Sequence, residues 1–73
     1  MNATEQAREI TSQIIAEAKR RKLTVGQLEL KWGVTKSYVS VIMRGKRVPY
    51  LGTLDRIARS MGIDATIKIG NQP

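Results

Sequence analysis

The chain lacks cysteine, histidine and phenylalanine, and its aromatic residues are one tryptophan and two tyrosines. The absence of cysteine excludes disulfides, and the absence of both cysteine and histidine excludes the usual zinc sites. The six carboxylates are scattered along the chain, so no acid–base or nucleophilic constellation forms and we expect no catalysis. Few rings are available to stack on the splayed bases of RNA. We expect neither a metal nor a cofactor.

Long hydrophobic runs are missing as well. No apolar stretch approaches the roughly 18–20 residues of a membrane-spanning helix. Residues 1–6 are polar and do not resemble the apolar segment of a secretory signal. The basic residues do not line the polar face of one strongly apolar helix, which is the pattern of membrane-surface helices. We therefore expect a cytoplasmic protein that does not bind membranes.

Basic residues dominate the charge. The 73 residues include 13 Lys and Arg against 6 Asp and Glu, a net charge of +7. This imbalance is typical of proteins that bind polyanions, although a basic solvated surface without a partner has the same composition. The length predicts a single domain over residues 1–73. Its core contributes only about 3–5 kcal/mol, which favours stabilisation by oligomerisation.

The spacing of apolar residues predicts two helices in the first half of the chain. The first begins after Asn2, which forms a capping-box pattern with Glu5, and runs to about Lys22. The second begins after Thr24 and is short. It ends at Gly33, because glycine tolerates the left-handed backbone that closes many helices.

Two more helices are predicted in the second half. The third begins after Thr35 and runs to about Arg44, just before a glycine. The fourth ends at Gly62 and has an apolar stripe with helical spacing. The members of that stripe are Leu51, Leu54, Ile57, Ala58 and Met61.

A turn of two residues, Gly33 and Val34, separates the second helix from the third. Such a tight turn makes the second of two helices project from the surface, where it fits the major groove of DNA. The surrounding sequence resembles the Cro-like phage-repressor family of helix-turn-helix proteins over about residues 23–63. The matching segments are LTVGQL (23–28), WGVTKSYVS (32–40), GKRVP (45–49), TL (53–54), IA (57–58) and MGI (61–63). The resemblance implies sequence-specific binding of double-stranded DNA.

One position departs from the family. Directly after Leu28 the family nearly always has alanine, because the two helices touch there, whereas this chain has Glu29. We expect either a slightly open helix crossing or a Glu29 side chain that turns out towards Lys36. The single tryptophan, Trp32, precedes the turn and is predicted to lie in the core.

The third helix has one apolar and one polar face. At 100° per residue, Val39, Ile42 and Met43 lie on the core side. The predicted base-contacting residues lie on the other side, and they are Lys36, Ser37, Ser40 and Val41. Lysine donates to guanine, serine bonds either base type, and valine packs on the thymine methyl group. Ordinary solvated surface is the alternative, but the resemblance also places Lys36, Ser37 and Val41 at base-contacting positions.

Other polar residues are predicted to contact phosphate. They are Thr24, Tyr38, Arg44, Lys46 and Arg47, which lie at a helix start or flank the third helix. Tyr38 could instead cover the edge of the core. The basic cluster at residues 19–22 is interpreted as a solvated helix end, with DNA contact as the alternative.

The tail changes its period. Ile63, Ala65, Ile67 and Ile69 alternate with polar residues, which predicts a strand over residues 63–70, with a short fifth helix as the alternative. No second strand is evident, so we expect antiparallel pairing with a second copy through Ala65, Ile67 and Ile69. A strand or coil folded onto its own domain is the other interpretation.

Together these features predict a mainly α protein. We expect a four- to five-helix, repressor-like DNA-binding domain with a helix-turn-helix and, in the strand interpretation, a dimerisation strand. The function expected is a transcriptional repressor that binds a palindromic operator as a homodimer, without a small-molecule ligand. The alternative is an antitoxin that binds a toxin protein and regulates its own operon.

Overall fold

Four helices form the part of the protein that the computed structural model describes, residues 2–66. They are α1 (Ala3–Arg20), α2 (Val25–Trp32), α3 (Lys36–Met43) and α4 (Leu51–Ser60). No strand occurs within these residues. None of the four helices combines the length and hydrophobicity that crossing a bilayer requires. The prediction of a mainly α fold with four helices is confirmed.

The helix starts follow from local hydrogen bonds that the sequence encodes. Asn2 caps α1, and its Oδ1 accepts from the backbone N–H of Glu5 at 2.8 Å. Thr24 and Gln27 form the full capping box of α2, with bonds of 2.8 and 3.2 Å. Thr35 caps α3 with its hydroxyl oxygen. All three caps were predicted, and each satisfies N–H groups that the helix itself leaves unpaired.

The end of α1 differs from the prediction. The helix stops at Arg20, two residues before the expected Lys22. Lys22 adopts φ of 55°, in the left-handed region, and its N–H bonds the carbonyl of Lys19 at 3.0 Å. Because lysine there takes the position that glycine usually fills, no glycine marks this helix end in the sequence.

The apolar core draws on all four helices. Its buried members are Ala7, Ile10, Ile14, Ala18, Leu28, Trp32, Val39, Ile42, Leu54, Ile57, Ala58 and Met61. Trp32 is buried as predicted, and its indole Nε1 has no hydrogen-bond partner among residues 2–66. Leu51, the first member of the predicted apolar stripe, is 55% exposed and does not belong to the buried core. It is the first residue of α4 and lies at the edge of the core, whereas the stripe turns fully inward only from Leu54.

The chain after α4 packs back onto the domain. The N–H of Ile63 bonds the carbonyl of Ala58 at 2.8 Å, and Ile63 and Ala65 are half-buried against the core. Residues 63–66 form no strand within the single chain, and pairing with a second copy stays a prediction. Asp64 accepts from the backbone N–H and the hydroxyl of Thr66, and this local turn competes with an extended strand. Residues 67–70, with Ile67 and Ile69, lie outside the described residues.

Candidate nucleic-acid interface

Gly33 sets the angle between α2 and α3. Its φ of 68° and ψ of 38° lie in the left-handed region, where a side chain with a Cβ is strained. The N–H groups of Gly33 and Val34 both bond the carbonyl of Glu29, at 2.9 and 3.3 Å. These two bonds close α2 and turn the chain directly into α3, so the second helix packs across the first as the motif requires.

Glu29 is accommodated at this helix contact. Glu29 is half-buried, and it forms no ion pair with Lys36 within residues 2–66. The backbone of Glu29 nevertheless closes the turn, as the bonds above show. The departure from the family pattern therefore leaves the hydrogen bonding of the turn intact.

The two faces of α3 separate as the sequence predicts. Val39 and Ile42 are fully buried, and Met43 is half-buried against the core. Lys36 and Ser37, in the first turn of α3, are exposed. The other two predicted base-contacting residues, Ser40 and Val41, are half-buried. The buried side fixes the orientation of the helix and leaves a lysine and a serine outward at its start. Contact of these residues with bases stays a prediction.

The loop that follows α3 carries the predicted phosphate-binding cations in a fixed arrangement. Gly45 has φ of 73°, and its N–H bonds the carbonyl of Ile42 at 2.8 Å. The next N–H, of Lys46, bonds the carbonyl of Val41 at 3.0 Å. The side chain of Arg44 is exposed and its Nε lies 3.4 Å from the carbonyl of Ser40. These bonds anchor the basic loop to the C-terminal end of α3.

Tyr38 connects this loop with the core. Its ring is half-buried against the core, as the core-edge interpretation expects. The guanidinium carbon of Arg47 lies over the same ring, 6.0 Å from its centroid. This cation–π contact holds the exposed Arg47 beside α3. Thr24, the remaining predicted phosphate contact, is exposed and caps α2.

Two members of the basic cluster at residues 19–22 form hydrogen bonds with a carboxylate of the same helix. Glu17 accepts hydrogen bonds from Arg20, with 2.9 Å between Nε and Oε1, and from Arg21. These bonds, that of Arg20 first and that of Arg21 second, lower the pKa of Glu17 from 4.5 to about 2. Two of the cluster's arginines therefore stabilise the helix end, which supports the solvated interpretation.

One basic surface of the protein was not predicted from the sequence. A groove of about 520 Å³ lies between α1 and the loop after α3, and Arg8 and Ser12 line its α1 side. The only signal in the sequence was the spacing of Thr4, Arg8 and Ser12, which places them one turn apart on the same helix face. Nothing in the sequence placed that face opposite Lys46 and Arg47.

A compact helical domain with a tight turn between two helices and a polar face on the second defines the helix-turn-helix class of DNA-binding proteins. The chain belongs to the helix-turn-helix family, whose pattern matches residues 14–67. Its resemblance to Cro-like phage repressors is thereby confirmed.

A phage protein supports the same assignment. The chain is 35% identical over 63 residues to an immunity repressor protein of Bacillus phage phi105. The alignment covers 86% of this chain and 44% of that relative, so the chain spans less than half the length of the phage protein. No solved structure matches the chain.

Proposed function

We propose that the protein is a sequence-specific transcriptional repressor that binds an operator through the exposed face of α3. The observation that carries this proposal is the position of Lys36 and Ser37. Both are exposed in the first turn of α3, while Val39 and Ile42 on its opposite face are fully buried. A helix whose back is fixed in the core presents its front side chains to base edges with little loss of conformational freedom.

The surrounding cations supply the non-specific part of binding. Arg44, Lys46 and Arg47 are exposed around the C-terminal end of α3, where the DNA backbone passes a helix seated in the major groove. Lysine and arginine at such positions release counterions from the duplex, so their contribution to affinity decreases as salt increases. In this proposal Lys36 selects the base sequence, and the basic loop supplies affinity for any duplex.

Repression by occupancy is the mechanism that fits this domain. A protein seated on an operator blocks polymerase without any chemical step, and the name of the phage relative, an immunity repressor, supports this direction of control. The homodimer is the remaining part of the proposal. It is supported by the small core and by the alternation of apolar residues that continues to Ile67 and Ile69. A two-fold dimer would match a palindromic operator.

A protein partner other than a second copy is the second candidate. Val48, Tyr50 and Leu51 are exposed by 39, 81 and 55%, and they are near neighbours in the chain. Exposed apolar residues that cluster in this way often mark a protein contact. Sedimentation of the purified chain separates the two: a stable dimer favours self-association, and a monomer that captures the product of a neighbouring gene favours the antitoxin alternative.

Selection from a pool of random duplexes tests the proposal directly. The pool should converge on one sequence, and DNA footprinting should show protection of the two half-sites about one helical turn apart. Affinity for the selected duplex should fall steeply with salt, with a slope of about −0.9 per phosphate contact. Retention of DNA without any enriched sequence would overturn sequence-specific regulation.

A further inference from the structure

The groove between α1 and the loop after α3 has two basic walls. Thr4, Arg8 and Ser12 lie along the α1 wall, and Lys46 and Arg47 belong to the loop wall. All five residues are exposed. The hydroxyl of a sixth lining residue, Thr11, is occupied because it donates to the carbonyl of Ala7 at 2.7 Å. Two hydroxyl groups and three cations therefore remain available around one volume of about 520 Å³.

The charge of this groove is not compensated within the described residues. No acidic side chain lines it, and neither Arg8 nor Lys46 takes part in an ion pair within residues 2–66. Three arginines outside the groove do have carboxylate partners: Arg20 and Arg21 bind Glu17, and Arg59 binds Asp55. An uncompensated set of cations with hydroxyl donors between them favours an anion with several acceptor oxygens.

We propose that this groove holds a phosphate group of the DNA backbone, so that α1 contributes to DNA binding through Arg8. The inference rests on the proposed function, because it takes the duplex to be seated on α3. The bond from Lys46 N–H to the Val41 carbonyl fixes the loop wall to the C-terminal end of α3. A backbone that passes this end also reaches the mouth of the groove. The guanidinium group of Arg8 matches phosphate geometry from the opposite wall.

The salt dependence of binding tests this role of Arg8. Arg8→Gln should reduce the slope of log affinity against log salt by about 0.9 per subunit. Between 50 and 200 mM salt, the affinity of the variant should therefore change about 3.5-fold less for one bound subunit and about 12-fold less for a dimer. The enriched DNA sequence should stay the same, since a phosphate contact carries no base information. Arg8→Lys keeps the charge and should retain most of the slope. Lys19→Gln removes one charge from the same helix, outside the groove, and should keep the wild-type slope.

The same measurements separate this inference from the proposed function. If Arg8→Gln keeps the wild-type slope while Arg44→Gln, at an exposed arginine outside the groove, lowers it, α1 does not contact the backbone although the protein still binds DNA. Absence of any sequence preference in the wild type contradicts the function itself. Because Arg8 is exposed and has no internal ion pair, the variant should fold, and its thermal unfolding by circular dichroism checks this.

A free anion is the other source of phosphate chemistry. Titration of the DNA-free protein with inorganic phosphate, followed by amide chemical shifts, should leave Ser12 and Lys46 nearly unchanged at millimolar phosphate. Saturating shifts at both residues that vanish in Arg8→Gln, together with an unchanged DNA slope, would assign the groove to a free anion and overturn the backbone contact.

Discussion

The guanidinium group of Arg21 donates a hydrogen bond of 3.0 Å to the backbone carbonyl of Met61. Arg21 is the C-cap of α1 and Met61 is the C-cap of α4, so this bond joins the ends of two helices that are 40 residues apart in sequence. The carbonyl groups at a helix end lack partners within the helix and carry partial negative charge. Arg21 donates to both Glu17 and the carbonyl of Met61, so it gives that carbonyl a partner and holds α1 against α4.

Arg21→Ala should lower the free energy of unfolding by about 1 kcal/mol, because a charge-assisted bond is lost from a side chain that is only partly exposed. For a domain of this size such a change lowers the melting temperature by about 4–8 °C. Arg20→Ala is the matched control, since Arg20 also binds Glu17 but is 70% exposed and has no bond to Met61. Its loss should change the free energy of unfolding far less, because exposed ion pairs contribute little to stability. Equal losses in the two variants would show that the contact with Met61 does not stabilise the fold.

Stability should also depend on pH through Glu17. The hydrogen bonds from Arg20 and Arg21 lower its folded-state pKa to about 2, below its ordinary value of 4.5. The folded state thus favours the ionised carboxylate, and the resulting stabilisation is complete above about pH 4.5 and is lost as the pH falls towards 2. Urea midpoints measured across this range should converge for wild type and Glu17→Gln at the acidic end. Glu9→Gln, on an exposed position of the same helix, controls for net charge. A wild-type excess over Glu17→Gln that persists unchanged at pH 2 would contradict this role.

Two glycine substitutions should have opposite effects. Gly33→Ala should destabilise the protein by about 1 kcal/mol, because alanine is strained in the left-handed region that Gly33 occupies at φ of 68°. Gly52→Ala, in the first turn of α4, should stabilise it by about 0.5–1 kcal/mol, since alanine is the better helix former. A Cβ at either position meets no atom within 4 Å, so neither effect is a clash. Chemical denaturation of both variants measures the difference, and the same sign for both would contradict it.

These contrasts show which features the sequence could predict. Thr24, Gln27 and Gly33 act through hydrogen bonds and backbone angles within four residues, so their roles follow from local sequence alone. The contact between Arg21 and Met61 could not be predicted, because it depends on how two distant helices pack.

The predicted interface also has a part that follows from local sequence and a part that depends on how distant elements pack. The apolar and polar sides of α3 follow from helical periodicity, and the sequence placed Val39 and Ile42 correctly. The proposed role of Arg8 could not be predicted, because it depends on the loop after α3 lying across from α1. The alternation of apolar residues could not show how residues 63–66 lie in the single chain, where Asp64 stabilises a turn while Ile63 and Ala65 pack against the domain.

The dimer prediction concerns Ile67, which lies outside the described residues. Ile67→Asp should yield a monomer in sedimentation, because an unpaired carboxylate in an apolar contact costs several kcal/mol. The helical core should survive, since the fully buried residues in the described part of the chain end at Met61. Affinity should fall far more for a full palindrome than for a half-site, because tethered half-sites gain effective concentration. Thr66→Asp adds the same charge at an exposed position and should remain a dimer. A dimeric Ile67→Asp would move the interface to a helix, and the exposed face of α4 with Arg56 and Arg59 is then the candidate.

Lys36 is expected to determine base preference, whereas the basic loop is expected to determine general affinity for DNA. Lys36→Ala should cost about 1–3 kcal/mol on the selected operator and should relax the preference at one base pair, because a base-edge contact is lost while the backbone contacts remain. Arg47→Ala should weaken binding to all duplexes by similar factors, since its partner is phosphate in every sequence.

Lys31→Ala supplies the charge-matched control, because Lys31 is an exposed lysine in the last turn of α2, just before the helix-turn-helix turn. Competition binding against operators with each base pair substituted in turn measures all three variants on one scale. Lys36→Ala should lose discrimination at a single position, Arg47→Ala should lose affinity at every position without changing their order, and Lys31→Ala should match the wild type. If Lys36→Ala keeps the full preference at every position, Lys36 does not contact a base and a different face of the domain must select the operator.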